Sequence, residues 1–335
     1  MIRDSSSTDT TGAVGLSETP FSAGDLVPAG GGPGKPWRLV VISGLAGLLL
    51  AVIWSPYLVD KVIAGAITGP VLGADANEVA ITGSGMAMGF AVITGIAGMF
   101  TACNIAVFCA LAPMSGDRAK GTRTRTSLLA LARPVGWLML GAVGVAGAYG
   151  VLGVLVGPSM PQVSGARIGD PETGLAVRIL QAGIVFGLIG LVMLWRGLAY
   201  AGLVRNPLER VFQRRSWAET LFLGCLIGAF LIGRPWPPFR RLFEYAVSTD
   251  NILLGFLTFA LQSIGNILGV AVLFLLVMLA TRGRFQRWLF RVPGRAARFS
   301  AVAFIVVGTF FVAYWSVKLG YRAGVMWWPT MPYNS

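Results

Sequence analysis

The stretch WAETLFLGCLIGAFLIGRPWPP, residues 217–238, decides how this chain is read. From Trp217 to Ile232 the one charged side chain is Glu219, near the start, so the run is an apolar helix. It stops at Arg234, where Pro235, Pro237 and Pro238 forbid its continuation. Cys225 lies in its middle, beside Gly224. Apolar runs of this kind recur along the chain, and several exceed the ~20 residues that a bilayer-spanning helix needs. With 55% hydrophobic and 12% charged residues, the chain is expected to be an all-α polytopic membrane protein. A membrane β-barrel would instead show alternating segments of about ten residues, and these are absent.

Working outward, seven candidate spans emerge. They run about Leu39–Leu58, Met86–Leu111, Leu128–Val156, Ala176–Leu203, Trp217–Ile232, Leu253–Ala280 and Ala301–Leu319. Residues 1–36 are rich in Ser, Thr, Gly and Pro and are expected to form a disordered cytoplasmic tail. The Gly30–Pro36 string lacks the Ser/Thr of a phosphate loop and reads as linker. Residues 37–60 hold one extra transmembrane helix, and residues 81–322 a six-helix core.

The net charge of +13 raises the question of nucleic acid, but no nucleic-acid-binding motif accompanies it. Most basic residues lie in short loops, where they set topology. Clusters follow the second span (Arg118, Lys120, Arg123, Arg125), the fourth (Arg205, Arg210, Arg214, Arg215) and the sixth (Arg282 to Arg298). These place the N-terminus in the cytoplasm and the C-terminus outside a plasma membrane. Seven spans give opposite ends, in agreement.

Spans two and five then begin on opposite sides. The core therefore divides into two three-helix repeats of inverted topology, which would place a working site near the midplane at the repeat interface. Spans two and five are also the ones that carry Cys103 and Cys225, each followed ten residues later by a proline, Pro113 and Pro235. Each cysteine is about eight residues from the cytoplasmic end of its span, which at ~1.5 Å per residue sets both roughly 12 Å deep. Equal depth is a requirement for a disulfide, whose Cα atoms stand only ~4.4–6.8 Å apart. Cys109 lies about six residues nearer the surface and is the spare. Asn104 could stabilise a thiolate or bond to backbone freed by a kink. The bland reading stands beside this one: cysteine is a common small apolar residue in buried helices, and most are inert.

Other reactive chemistry is scarce. The chain has three cysteines and no histidine, and neither a CxxC nor a His/Cys cluster argues for zinc or haem. No cofactor and no metal are expected. Gln262 and Asn266 share a face of the sixth span, where they either line a polar pathway or act as interhelical hydrogen-bond glue. Arg196 is expected to snorkel to the interface. Arg234, Arg240 and Arg241, interleaved with Trp236, Phe239 and Phe243, form either a docking loop or an interfacial aromatic-basic anchor. The Gly141, Gly144, Gly147 and Gly150 series gives a thin face for close packing.

On Cys103, Cys225, their spans and the small-residue-rich segment 256–266 (FLTFALQSIGN), the core resembles the CcdA/DsbD family of transmembrane thiol–disulfide electron carriers. The resemblance covers roughly residues 81–321. It implies that electrons pass from a cytosolic thioredoxin-like protein, through the two cysteines, to an extracytoplasmic thioredoxin-like protein, with cytochrome c maturation one destination. Family members usually carry proline directly before each cysteine. Here Ala102 and Gly224 hold those places. The alternative is a small-solute or ion transporter on the same inverted-repeat scaffold, with Asn104, Gln262 and Asn266 as its site. It lacks an intramembrane carboxylate for ion coupling. A third option is a non-catalytic assembly subunit.

Overall fold

The computed structural model describes residues 36–55, 57–72, 79–100, 124–170, 174–281, 284, 288, 291–292 and 294–329. Among them, five helices are long and apolar enough to cross a bilayer: Pro36–Ile53, Arg133–Ser159, Val177–Tyr200, Ile252–Val277 and Arg295–Arg322. A sixth span arises if Trp217–Gly233 and Pro237–Ser248, bent by 85° at their junction, count as one. Ser84–Ala97 is apolar but shorter. The protein is an all-α, multi-pass membrane protein, with one small antiparallel hairpin outside the helices.

The elements follow in order. Helix α1 is Pro36–Ile53, and a π-helical turn, Tyr57–Ile63, leads into α2, Ala64–Leu72. Helix α3, Ser84–Ala97, tightens into a 3-10 turn at Gly98–Phe100. Helix α4 is Thr124–Val156. The hairpin pairs β1, Arg167–Ile168, with β2, Leu175–Ala176. Then come α5, Val177–Tyr200, the short α6, Glu209–Arg214, α7, Ser216–Gly233, and α8, Pro237–Ser248. Helix α9 is Ile252–Ala280. Helix α10, Arg295–Phe311, runs through the π-helical segment Val312–Val317 into α11, Lys318–Arg322.

Lipid explains the surface. Ile184, Leu188 and Leu191 on α5, and Leu268, Val272, Leu275 and Leu276 on α9, are half or more exposed or close to it. Such faces are unfavourable in water and suited to acyl chains. A helix keeps its backbone bonds within itself, as the bilayer core demands. Hydroxyls inside the bundle follow the same rule: Thr94 donates to the Phe90 carbonyl at 2.7 Å and Thr258 to that of Leu254 at 2.9 Å.

Because lipid tails are as apolar as leucine, close van der Waals contact decides which helices pair. Helix α1 buries Ser43, Gly47 and Ala51, one small stripe, and Gly47 sits against Val306 and Phe310 of α10. Helix α7 lies along α4, with Gly224 on the Leu138 carbonyl, Gly141 on that of Leu221 and Gly228 on that of Ala142. Rising numbers on both sides make this pair parallel. Helix α3 lies along α9 in the same way, with Gly265 on the Val92 carbonyl and Gly269 on that of Ile96, while Gly95 rests between Gln262 and Asn266. Helices α5 and α10 are antiparallel: Gly197 meets Ala301, Gly190 meets Gly308, and Gly183 meets Trp315. The predicted thin face on α4 is thus shared. Gly141 serves α7, Gly147 and Gly150 serve α9, and Gly144 touches no other helix.

Two aromatic clusters fill the interior. Phe186, Phe230, Phe311 and Trp315 join α5, α7 and the α10 extension, with ring centroids 4.6–5.6 Å apart. Tyr149, Phe239, Phe243 and Phe259 join α4, α8 and α9. The second cluster corrects the reading of residues 234–243. Trp236, Phe239 and Phe243 are buried, so the segment is a helix folded into the bundle rather than a docking loop or a surface anchor. Pro237 starts this helix at its first position, where the missing N–H costs nothing.

Candidate functional site

Cys225 lies halfway along α7, on the side that contacts α4, and it is partly exposed and free of any disulfide. Glycine neighbours thin the helix on either side of it: Gly224 rests on Leu138 and Gly228 on Ala142. Cys103, Asn104, Cys109 and Pro113 lie outside the described residues, so the expected meeting of Cys103 with Cys225 does too. Pro235 is where the sequence puts a break: α7 ends at Gly233 and the chain turns by 85° into α8.

The carbonyls at that break need donors, since the last turn of a helix leaves them unsatisfied. The Ile232 carbonyl accepts from Gln162 Nε2 and from Gln181 Nε2, both at 2.9 Å, and from the Tyr149 hydroxyl at 3.4 Å. Gln181 Nε2 also donates to Tyr149 at 2.8 Å. Three separate stretches of chain therefore converge on one oxygen of a fourth. Sequence reasoning singled out none of Tyr149, Gln162 and Gln181. The available signal was an amide, Gln181, inside a span whose other strongly polar side chains, Arg178 and Arg196, lie near its two ends.

Arg196 is not an interfacial snorkel. It is 2% exposed and paired with Glu219 of α7. Tyr200 completes the group: Arg196 donates to its hydroxyl at 3.1 Å, and that hydroxyl donates to the Glu219 carboxylate at 2.8 Å. The guanidinium sits 5.0 Å from the ring centres of both Tyr200 and Phe212. Desolvating two charges is expensive, and this geometry offsets it with an ion pair, a hydroxyl and two ring faces. At the far end of α10, Lys318, 5% exposed, sits 4.7 Å from the Tyr314 ring centre. The antiparallel α5–α10 pair thus carries a buried cation on a tyrosine at both ends.

Gln262 and Asn266 behave differently from each other. The Gln262 side chain is buried, and neither its oxygen nor its nitrogen has a hydrogen-bond partner among the described residues. It is therefore not hydrogen-bond glue within them. Asn266 approaches Gly98 and Arg234: a Cβ at Gly98 would stand 2.7 Å from Arg234 Nη1 and 3.7 Å from Asn266 Oδ1. Arg234 also lies over the Trp236 ring, 4.2 Å from its centre.

A cavity of about 210 Å³ opens at the break itself, lined by Gln162, Arg178, Pro235, Pro237 and Arg240. Arg240 pairs through Nε with Glu244 at 2.7 Å. No group of three or more metal-ligating side chains occurs among the described residues. Comparison with family models, curated proteins and solved structures finds no match.

Proposed function

We propose that this protein carries reducing equivalents across a membrane by thiol–disulfide exchange, with Cys225 and Cys103 as the working pair. The helix packing supports this most directly. Val92 pairs with Gly265 as Leu221 pairs with Gly141, and Gly95 pairs with Gln262 as Gly224 pairs with Leu138. One constant interval relates α3 to α7, and another relates α4 to α9. Gly190 and Gly308 face each other where α5 meets α10. Two three-helix repeats of opposite orientation produce this crossed pattern: α3–α4–α5 and α7–α9–α10. Such a layout would match the one the carrier resemblance implies, with Cys225 on the helix that packs against the other repeat.

The chemistry then runs in two exchanges. A thiolate of a cytosolic dithiol protein attacks one sulfur of the Cys103–Cys225 disulfide, breaking the S–S bond and forming a mixed disulfide. The donor's second thiolate displaces the carrier, leaving the donor oxidised and both carrier cysteines reduced. The reverse sequence passes the same two electrons to a disulfide on the other side. The basic clusters after spans two, four and six orient the donor side towards the cytoplasm, with the N-terminus on that side and the C-terminus outside. The interval that relates α3 to α7 makes Ile96, not Cys103, the counterpart of Cys225.

Alkylation mass-tagging over a range of thiol/disulfide buffers tests the reading. Cys103 and Cys225 should gain and lose the tag together at one potential. Cys103→Ser and Cys225→Ser should each leave the other cysteine able to trap a thioredoxin-like protein as a mixed disulfide. Independent titration, with extracytoplasmic thiols unchanged in both variants, overturns it. A solute carrier is the second reading, favoured by the buried Gln262 amide, which has no partner among the described residues, and by Asn266 near Arg234. Uptake into vesicles that survives both cysteine substitutions and fails in Gln262→Leu decides for it.

A further inference from the structure

The cavity at the α7–α8 break is built for negative charge. Its polar lining residues are two arginines and one glutamine. Arg178 has no carboxylate within ion-pair distance among the described residues, and it feels the like charges of Arg240 and Arg167. Among the described residues, Glu244, bound to Arg240, is the one opposite charge acting on it. Like charges gathered in a partly buried recess repel, and an anion placed between them relieves this.

The backbone adds to the same field. Arg178 stands in the first turn of α5, a helix of 24 residues, and Pro237 opens α8, a helix of 12. Neither helix has a side-chain cap or an acidic residue in its first turn. Both positive dipole ends therefore border the cavity uncompensated. Pro235 and Pro237 form a wall without N–H groups, so recognition falls to the guanidinium forks. Gln162 is already committed, donating to the Ile232 carbonyl and lying within hydrogen-bond reach of Tyr149. At about 210 Å³ the space is below the ~300 Å³ where pockets for drug-sized ligands begin.

We propose that this cavity binds a small oxyanion, a phosphate or carboxylate group held by the forks of Arg178 and Arg240. The group belongs either to a free solute or to an anionic lipid head. The site does not depend on the cysteine chemistry and is tested without it.

The test uses the purified full chain. In one arm, inorganic phosphate or succinate is titrated in neutral detergent at constant ionic strength, and binding is read by calorimetry and thermal shift. In the other, the protein is placed in phosphatidylcholine nanodiscs with and without phosphatidylglycerol, and bound lipid is read by native mass spectrometry. Saturable binding in the first arm identifies a free anion, and retention of phosphatidylglycerol alone identifies a head group. Arg178→Gln should weaken whichever is seen by about tenfold or more, since charge-assisted hydrogen bonds are lost. Arg178→Lys keeps the charge without the fork and should fall between. Arg298→Gln, on the exposed face of α10, should change nothing. Absence of saturable binding in both arms overturns the proposal, as does an Arg178→Gln protein that folds and binds as the parent does.

Discussion

Glu219→Gln separates a buried ion pair from a snorkelling arginine. The substitution keeps shape and an acceptor oxygen for Tyr200 but removes the charge opposite Arg196. The Arg196 and Glu219 side chains are 2% and 10% exposed, so solvent screens little of the loss. Removing one partner of a buried pair costs about 3–5 kcal/mol. The same change at an exposed pair costs ~0–1 kcal/mol. At roughly 2 °C per kcal/mol for a chain of this size, the melting midpoint should fall by about 6–10 °C in detergent. The double variant Arg196→Met/Glu219→Leu removes both charges and should recover most of that loss, because the desolvation cost disappears with the attraction. Differential scanning fluorimetry of the parent and the two variants gives the comparison. A Glu219→Gln shift under about 2 °C, or a double variant no better than the single, would refute the argument that this pair is desolvated.

Other outcomes follow from the packing. Gly224→Ala forces a methyl group onto the Leu138 backbone and should destabilise by ~1–3 kcal/mol, whereas Gly144→Ala meets nothing and should be neutral or slightly stabilising; thermal midpoints compare them. Gln162→Leu/Gln181→Leu leaves the Ile232 carbonyl with only a long contact to Tyr149, and hydrogen exchange in residues 233–240 should speed up before global stability changes much. Cys225, partly covered by its packing on α4, should react with maleimide more slowly in folded protein than after denaturation, and equal rates would contradict the burial described here.

Much of the architecture was legible because hydropathy is a local signal. The run Trp217–Ile232 became α7 within a residue at each end, and Leu253–Ala280 became α9. Helix α8 was missed for a physical reason. Its apolar positions, Phe239, Leu242, Phe243 and Ala246, alternate with Arg240, Arg241 and Glu244 at helical spacing, so it reads as polar on average while burying one face. Helix α2 lies outside the seven candidate spans because Asp60, Lys61 and Pro70 interrupt the apolar pattern around it. Arg196 was read from its own span alone, and nothing local announces that Glu219, on another helix, arrives beside it. The convergence on Ile232 is still less legible, since its donors come from α4, the loop before β1, and α5. The Gly141–Gly150 series was read as a thin face, but only packing assigns its members to two different helices.

The oxygen of Ile232 has a consequence for how the protein is made. Tyr149, Gln162 and Gln181, its three donors, all precede it in the chain. During synthesis they are already inserted when residue 232 leaves the ribosome. The corner between α7 and α8 is thus received by a prepared socket rather than assembled with it. Truncated nascent chains should show the earlier helices in place before the corner forms, and not the reverse.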